Sequence, residues 1–220
     1  MLLSAVALGT AACGGSSDVP AGAVAVVDGT LVPQSALDEL IERQKAVYAM
    51  ANQEFPAADS KSYHDIQRNY VVYLVQQAEL QQEAKKLGVS VSQQDVDDAL
   101  EAYIKSDFKG NRTKFQQSLK AQGFSLATFK QSLRASVLTR KVLAAANRDV
   151  TVDDRDLMAY YKLNRATKYP DTPFKQVKDS IQATVLDQKR AEANIAWIQN
   201  LSIRYEDKVD YAKGFEPPGS

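Results

Sequence analysis

The sequence predicts a mainly α fold: several helices, the last of them long, held between short β-strands at the two ends that pair with each other. Three observations predict this. Apolar residues recur at three- and four-residue spacing through most of the 220 residues. The β-branched run "AVAVVDGTLVP" carries the strong turn signal Asp28-Gly29. The closing stretch "SIRYEDKVDYA" alternates as a strand does.

Each element has its own justification. Val24, Val26 and Val27 favour a strand or hairpin. "PQSALDELIERQKAVYAMANQEF" then sets Leu37, Leu40/Ile41, Val47/Tyr48 and Ala51 on one helical face, ended by Pro56. The strongest helix is "SYHDIQRNYVVYLVQQAELQQEAKKLG". Its stripe is Ile66, Tyr70, Tyr73/Leu74, Gln77, Leu80, Ala84 and Leu87, widened by Val71, Val72 and Val75, and Gly88 is placed for a left-handed end. A face that wide belongs at the centre of the domain. "SVSQQDVDDALEAYIKSDF" has Ser92 as N-cap with Asp95 as its capping-box partner. Residues 111–150 divide at Gly123 into two helices, the second capped by Ser125 and turning Leu126, Phe129, Leu133, Val137 and Val142 inward. A shorter helix over 151–169 stops at Pro170. Thr172 and Pro173 then open the long helix as N-cap and first residue, with Val177, Ile181, Val185, Ile195 and Ile198 as its stripe and Trp197 nearby.

Composition bounds the function. Hydrophobic residues make up 45% and charged residues 25%, ordinary globular usage, and a chain of this length buries roughly 70% of its unfolded surface. Lys plus Arg equals Asp plus Glu at 27 each, so nucleic acid is not an expected partner. No phosphate loop, G-x-S-x-G elbow or H-E-x-x-H is present. His64, the one histidine, reads as a polar residue on a helix surface rather than a base or ligand. The groups Asp95/Asp97/Asp98 and Asp153/Asp154/Asp156 lack calcium-loop spacing and read as acid at helix starts. No catalytic residue, metal or cofactor is expected.

The opening "MLLSAVALGTAAC" is apolar, uncharged and ends in small residues, the pattern of a signal peptide over 1–12. "TAAC" followed by "GGSSD" resembles a bacterial lipobox, with Cys13 as the lipidated residue and 13–22 as a flexible tether. The alternative is an ordinary cleaved signal with an incidental cysteine. Thr10 stands where an aliphatic residue is usual, and no basic residue precedes Leu2.

The segments "VAVVDGTLVPQSALDELI", "AKKLGVSVSQQDVDDALEAY", "KFQQSLKAQGFSLATFKQSLRASVLTRKV" and "RDVTVDDRDLMAYYKLNRATKY" resemble, in order and spacing, the N-terminal chaperone domain of SurA/PrsA-type extracytoplasmic foldases. "FKQVKDSIQATVLDQKRAEANIAWIQNLSIRYEDKVDY" is similar to the helix and strand that complete the same domain. The resemblance implies a chaperone domain over 23–211, built from 23–169 and 172–211, with a tail over 212–220. Catalytic members carry a parvulin prolyl-isomerase domain between those two parts; here only a few residues around Pro170 and Pro173 join them. It implies an extracytoplasmic, lipid-anchored holdase or folding assistant without isomerase activity, whose partners are unfolded or nascent exported polypeptides and, through its lipid, the membrane. A soluble secreted or periplasmic form, and an assembly lipoprotein with one dedicated partner, are the alternatives. A client surface needs apolar, adaptable side chains; Tyr48, Met50, Phe55, Phe108 and Phe115 are the candidates for it, core packing being the competing role of each.

The anchor has a direct test. Cys13→Ala is expected to move the protein out of the membrane fraction, because two acyl chains hold where none is present to hold; retention in that fraction would rule the lipid out.

Overall fold

Asp28 and Gly29 both have positive φ, 46° and 78°, the geometry a two-residue hairpin turn demands. They join β1 (Ala23–Val27) to β2 (Thr30–Pro33) in antiparallel register, Val27 opposite Thr30 and Val26 opposite Leu31. The structure, a computed structural model, describes residues 19–217. The expected signal peptide and Cys13 lie outside them. β3 (Val209–Tyr211) lies antiparallel on the other side of β1, with Ala25 opposite Tyr211, so the sheet order is β2-β1-β3. The two ends of the domain pair as the sequence predicts.

Seven helices fill the interval: α1 (Gln34–Met50), α2 (Lys61–Lys86), α3 (Gln93–Phe108), α4 (Arg112–Ala121), α5 (Leu126–Ala146), α6 (Asp154–Lys168) and α7 (Phe174–Tyr205). Side-chain caps set most of the starts. Ser60, Asn111 and Ser125 each accept a backbone N–H at the start of α2, α4 and α5, and Ser92/Asp95 and Asp153/Asp156 close reciprocal capping boxes on α3 and α6. α1 and α7 start after Pro33 and Pro173 with no side-chain cap, so Thr172 is not the N-cap expected of it. Gly88 has φ +66° just past α2, as anticipated.

α2 is the spine. Val71, Val75 and Ala78 meet Val24 and Val27 of the sheet, Leu37 and Ile41 of α1, and Leu201 and Tyr205 of α7. Tyr205 is fully buried; its hydroxyl donates to Glu83 Oε1 (3.0 Å) and accepts from Lys86 Nζ (2.8 Å). A second core joins α3, α4 and α5 through Leu100, Ile104, Phe115 and Leu119. A third joins α6 and α7 through Leu157, Tyr161, Ile181 and Val185.

The acidic groups tie these layers together. Asp95 accepts from Lys141 (2.6 Å) and Asp97 from Lys130 (2.7 Å), linking α3 to α5. Asp154 pairs with Lys178 (2.8 Å) and Asp156 with Lys189, linking α6 to α7. The Lys141 ammonium, then Ser92, hold the Asp95 carboxyl well below its ordinary range.

Three expectations are corrected. Ile195 and Ile198 are exposed, and Leu201 and Tyr205 are the buried residues of that half of α7. The helix runs to Tyr205, so the closing strand is only three residues long. Tyr73 and Leu87 of the α2 stripe are exposed, while Val71 and Val75 lie deepest. Within the segment read as a tail, Ala212 N–H donates to Val24 O (3.0 Å) and Phe215 packs on the main core.

Glu79 is buried on α2 with Oε2 unpartnered. Burial raises its pKa, opposed by the charge of Arg204. The folded state therefore binds this proton more tightly than the unfolded chain. The cost of the ionised form is present above the folded pKa and vanishes as pH falls to the unfolded value. Glu79→Met is expected to raise the urea midpoint at neutral pH, by about 1 kcal/mol of stability, and the advantage should shrink on acidification. An unchanged midpoint at neutral pH would show that the carboxylate is satisfied.

Candidate functional site

The apolar surface of α2 is wider than its partners cover. α1 seats Leu37 and Ile41 on it and leaves Leu40 half-buried, one residue off that stripe. α5 stands on the other flank, and the strip of α2 between them, Tyr73, Leu74, Gln77 and Ala78, floors an open cleft of about 560 Å³. Leu40 and Ala36 face it from α1, Ala135 and Leu138 from α5, and Thr30–Pro33 of β2 from one end. Tyr73 is 44% exposed and Leu31 54%, large exposures for side chains of this kind.

The cleft continues along α1. A second depression of about 690 Å³ shares Glu39, Arg43 and Gln131 with the first and reaches Gly123 and Phe124 in the α4–α5 turn. Met50 marks that end: a Cβ on Gly123 would lie 3.4 Å from its Cε. Gly123 has φ +71°, a backbone conformation that favours glycine. The rim is polar and partly fixed, since Arg134 donates to Val91 O (2.7 Å) and to Gln93 Oε1 (3.2 Å).

The lining of the first depression contains one carboxylate, Glu39, and neither histidine nor cysteine. His64 is exposed on the first turn of α2, within 3.3 Å of Gln67 Oε1. Among the described residues no three potential metal ligands converge. Apolar area between long polar side chains is what this arrangement offers.

The five sequence candidates fall in two places. Tyr48 and Phe55 are half-buried and pack edge-on (5.2 Å), with Phe55 also edge-on to Tyr63 (6.0 Å) against the main core. Met50, 47% exposed, is the one that reaches the cleft region. Phe108 is half-buried beside Phe115 (5.6 Å). Phe115 is only 3% exposed, enclosed by Tyr103, Phe108 and Phe129, and is a core residue with no surface to offer; the expectation for it is corrected. The sequence pointed to the rings and missed the cleft floor, because Tyr73 sits in phase with the helix's buried stripe.

A helical body closed by strands from its two ends carries an open apolar cleft on its central helix. Residues 1–143 match the family described as SurA-like N-terminal domain, and the chain belongs to that family. It is 26% identical over 159 residues to the foldase protein PrsA of Clostridium botulinum strain Hall, covering 68% of this chain and 47% of the relative. The corresponding protein of strain 657 is 28% identical with the same coverage. That of Clostridium perfringens is 30% identical over 83 residues, 38% of this chain and 24% of the relative. The chain spans about half the length of the curated relatives it matches over 159 residues.

The two places respond differently to substitution. Phe115→Ala is expected to cost about 3 kcal/mol of unfolding free energy, and Met50→Ser less than about 0.5 kcal/mol. Equal losses in urea titrations would place Met50 in the core.

Proposed function

We propose that the protein is an extracytoplasmic holdase for exported polypeptides, that it works without prolyl-isomerase activity, and that the cleft between α1 and α5 is where clients bind. The exposed apolar floor carries this reading. An unfolded segment laid over Tyr73, Leu31 and Leu40 exchanges water for apolar contact at both partners. The polar rim of Glu39, Arg43 and Gln131 adds hydrogen bonds that any backbone satisfies, so the site is permissive in sequence. β2 adds one further handle. Val27 and Thr30 flank the two-residue turn as a bonded pair, so the N–H and C=O of the next residue, Leu31, point away from β1 along the open edge. An extended client can use that pair as a short strand addition.

The similarity to proteins named foldases supports the folding role. The join between α6 and α7 supports the non-catalytic one: four residues separate Tyr169 from Phe174, and the turn is held by the Tyr161 hydroxyl donating to Thr172 O (2.9 Å). Among the described residues no helix is long and apolar enough to cross a membrane. Attachment, on our reading, is by the lipid on Cys13, which keeps the cleft near chains emerging at the membrane.

Light scattering of a chemically unfolded client diluted into the full chain tests this, with a proline-isomerisation assay on the same sample. Suppressed aggregation near stoichiometric ratios and no isomerisation are expected. Leu31→Ser with Tyr73→Ser should raise the amount needed by about fivefold, the factor roughly 1 kcal/mol carries. Full activity in that variant would remove the cleft from the proposal. No suppression by the wild type at any ratio would favour one dedicated partner, recovered stoichiometrically on purification.

A further inference from the structure

We propose that the hollow between α5 and α7 binds phosphoryl anions. It has a volume of about 650 Å³, and its walls carry Arg140 and Arg148 from and just past α5, Arg190 from α7, and Asn147 and Asn194 between them. No carboxylate lines it. The chain as a whole balances 27 basic against 27 acidic residues, so three guanidinium groups without an acid are a local excess that the composition does not explain.

The contrast with the lysines sharpens this. Lys130, Lys141, Lys178 and Lys189 are each engaged by an aspartate in linking helices together. Arg140 and Arg190 have no hydrogen bond or ion pair among the described residues, and Arg148 reaches only Asp149, at 3.5 Å between two highly exposed side chains. All three are exposed on the one hollow, so an anion entering it meets their combined charge.

The neutral groups complete a donor set. Asn147 Nδ2 donates to Asn194 Oδ1 (2.7 Å), which holds both amides in place and leaves the Asn194 amide hydrogens for a ligand. Ser136 supplies a hydroxyl. Guanidinium forks and amide donors match the several acceptor oxygens of a phosphate monoester or diester, each fork able to take two oxygens at once. The volume exceeds one phosphoryl group, and Leu143 and Ala144 offer an apolar part of the wall to its carbon substituent. Positions 136, 140, 143 and 147 lie roughly 140° around α5 from positions 131, 135 and 138 of the cleft, at 100° per residue. The two sites are separate, and either assignment can fail without the other.

The test compares the full chain with its Arg140→Ala/Arg190→Ala variant at fixed ionic strength, both carrying Cys13→Ala so that no acyl chain contributes. Calorimetric titrations use inorganic phosphate and glycerol 3-phosphate. Flotation uses vesicles of phosphatidylglycerol mixed with phosphatidylcholine, against phosphatidylcholine alone. Saturable binding of at least one probe, weakened about tenfold or more in the variant, is expected from the loss of two charge-assisted contacts. Binding of the soluble esters alone would make a free phosphoester the ligand; retention on the anionic vesicles alone would make it a lipid headgroup. Circular dichroism melts check the fold, and Arg140→Lys/Arg190→Lys keeps the charge while losing the forks, so its affinity should fall between the two. No saturable binding of any probe, or equal binding by wild type and both variants, would overturn the site.

Discussion

The pairing of β1 with β3 is the constraint on which the rest depends. Val27 lies opposite Val209 and Ala25 opposite Tyr211, residues more than 180 positions apart in the chain. Until they meet, β1 and β2 form a lone hairpin, marginal in water, and α2 has no sheet to rest on. Tyr205 secures the joint from the helical side, its ring in the main core and its hydroxyl between Glu83 and Lys86. Closing so long a loop costs entropy before any contact rewards it, so the last residues of the domain license the packing of the first. The segment over 212–217 then adds Phe215 to the same core, which explains why it is held down rather than trailing free.

α7 shows where sequence reading stops. At 100° per residue, Leu201 and Tyr205 lie on roughly the opposite side of the helix from Ile181 and Val185. The first half of α7 packs on α6, and the last turns pack on α2 and the sheet. A single stripe continued from Ile181 arrives at Ile195, which is why that residue reads as core and stands in solvent. Nothing local marks the change of side, because each half is amphipathic and only the placement of the partners says which face is covered. The capping residues behaved otherwise. Ser92 with Asp95 and Ser125 were legible because a cap acts within three residues, whereas the second box, Asp153 with Asp156, was visible only as helix-start acid.

The cleft was illegible for a related reason. Periodicity places Tyr73 and Leu40 on apolar faces, and apolar faces read as buried. What leaves them open is the spacing of α1 and α5 across α2, a tertiary quantity set by Leu37 and Ile41 on one side and by Val137, Val142 and the α3 contacts on the other. Residues that local rules bury and the fold exposes mark the places where a structure departs from its own consistency, and such departures gather at sites of use. Tyr73 and Leu31 line the first depression, and Met50 lies beside Gly123 at the end of the second. Leu163 and Ile203, also exposed, lie on α6 and the end of α7 and line neither depression of the cleft.

The join at residues 170–173 carries the last step. A domain inserted between α6 and α7 would leave the helix pair from these residues and need not disturb either helix, since Tyr161 stacks on Tyr169 on one side and meets Phe174 on the other. In this chain the turn is closed on itself by the Tyr161 hydroxyl and by Thr172 N–H donating to Tyr169 O. The α6–α7 pair buries a core of its own, Leu157, Tyr161, Ile181 and Val185. The two helices draw their stability from each other and from the lysine–aspartate pairs between them.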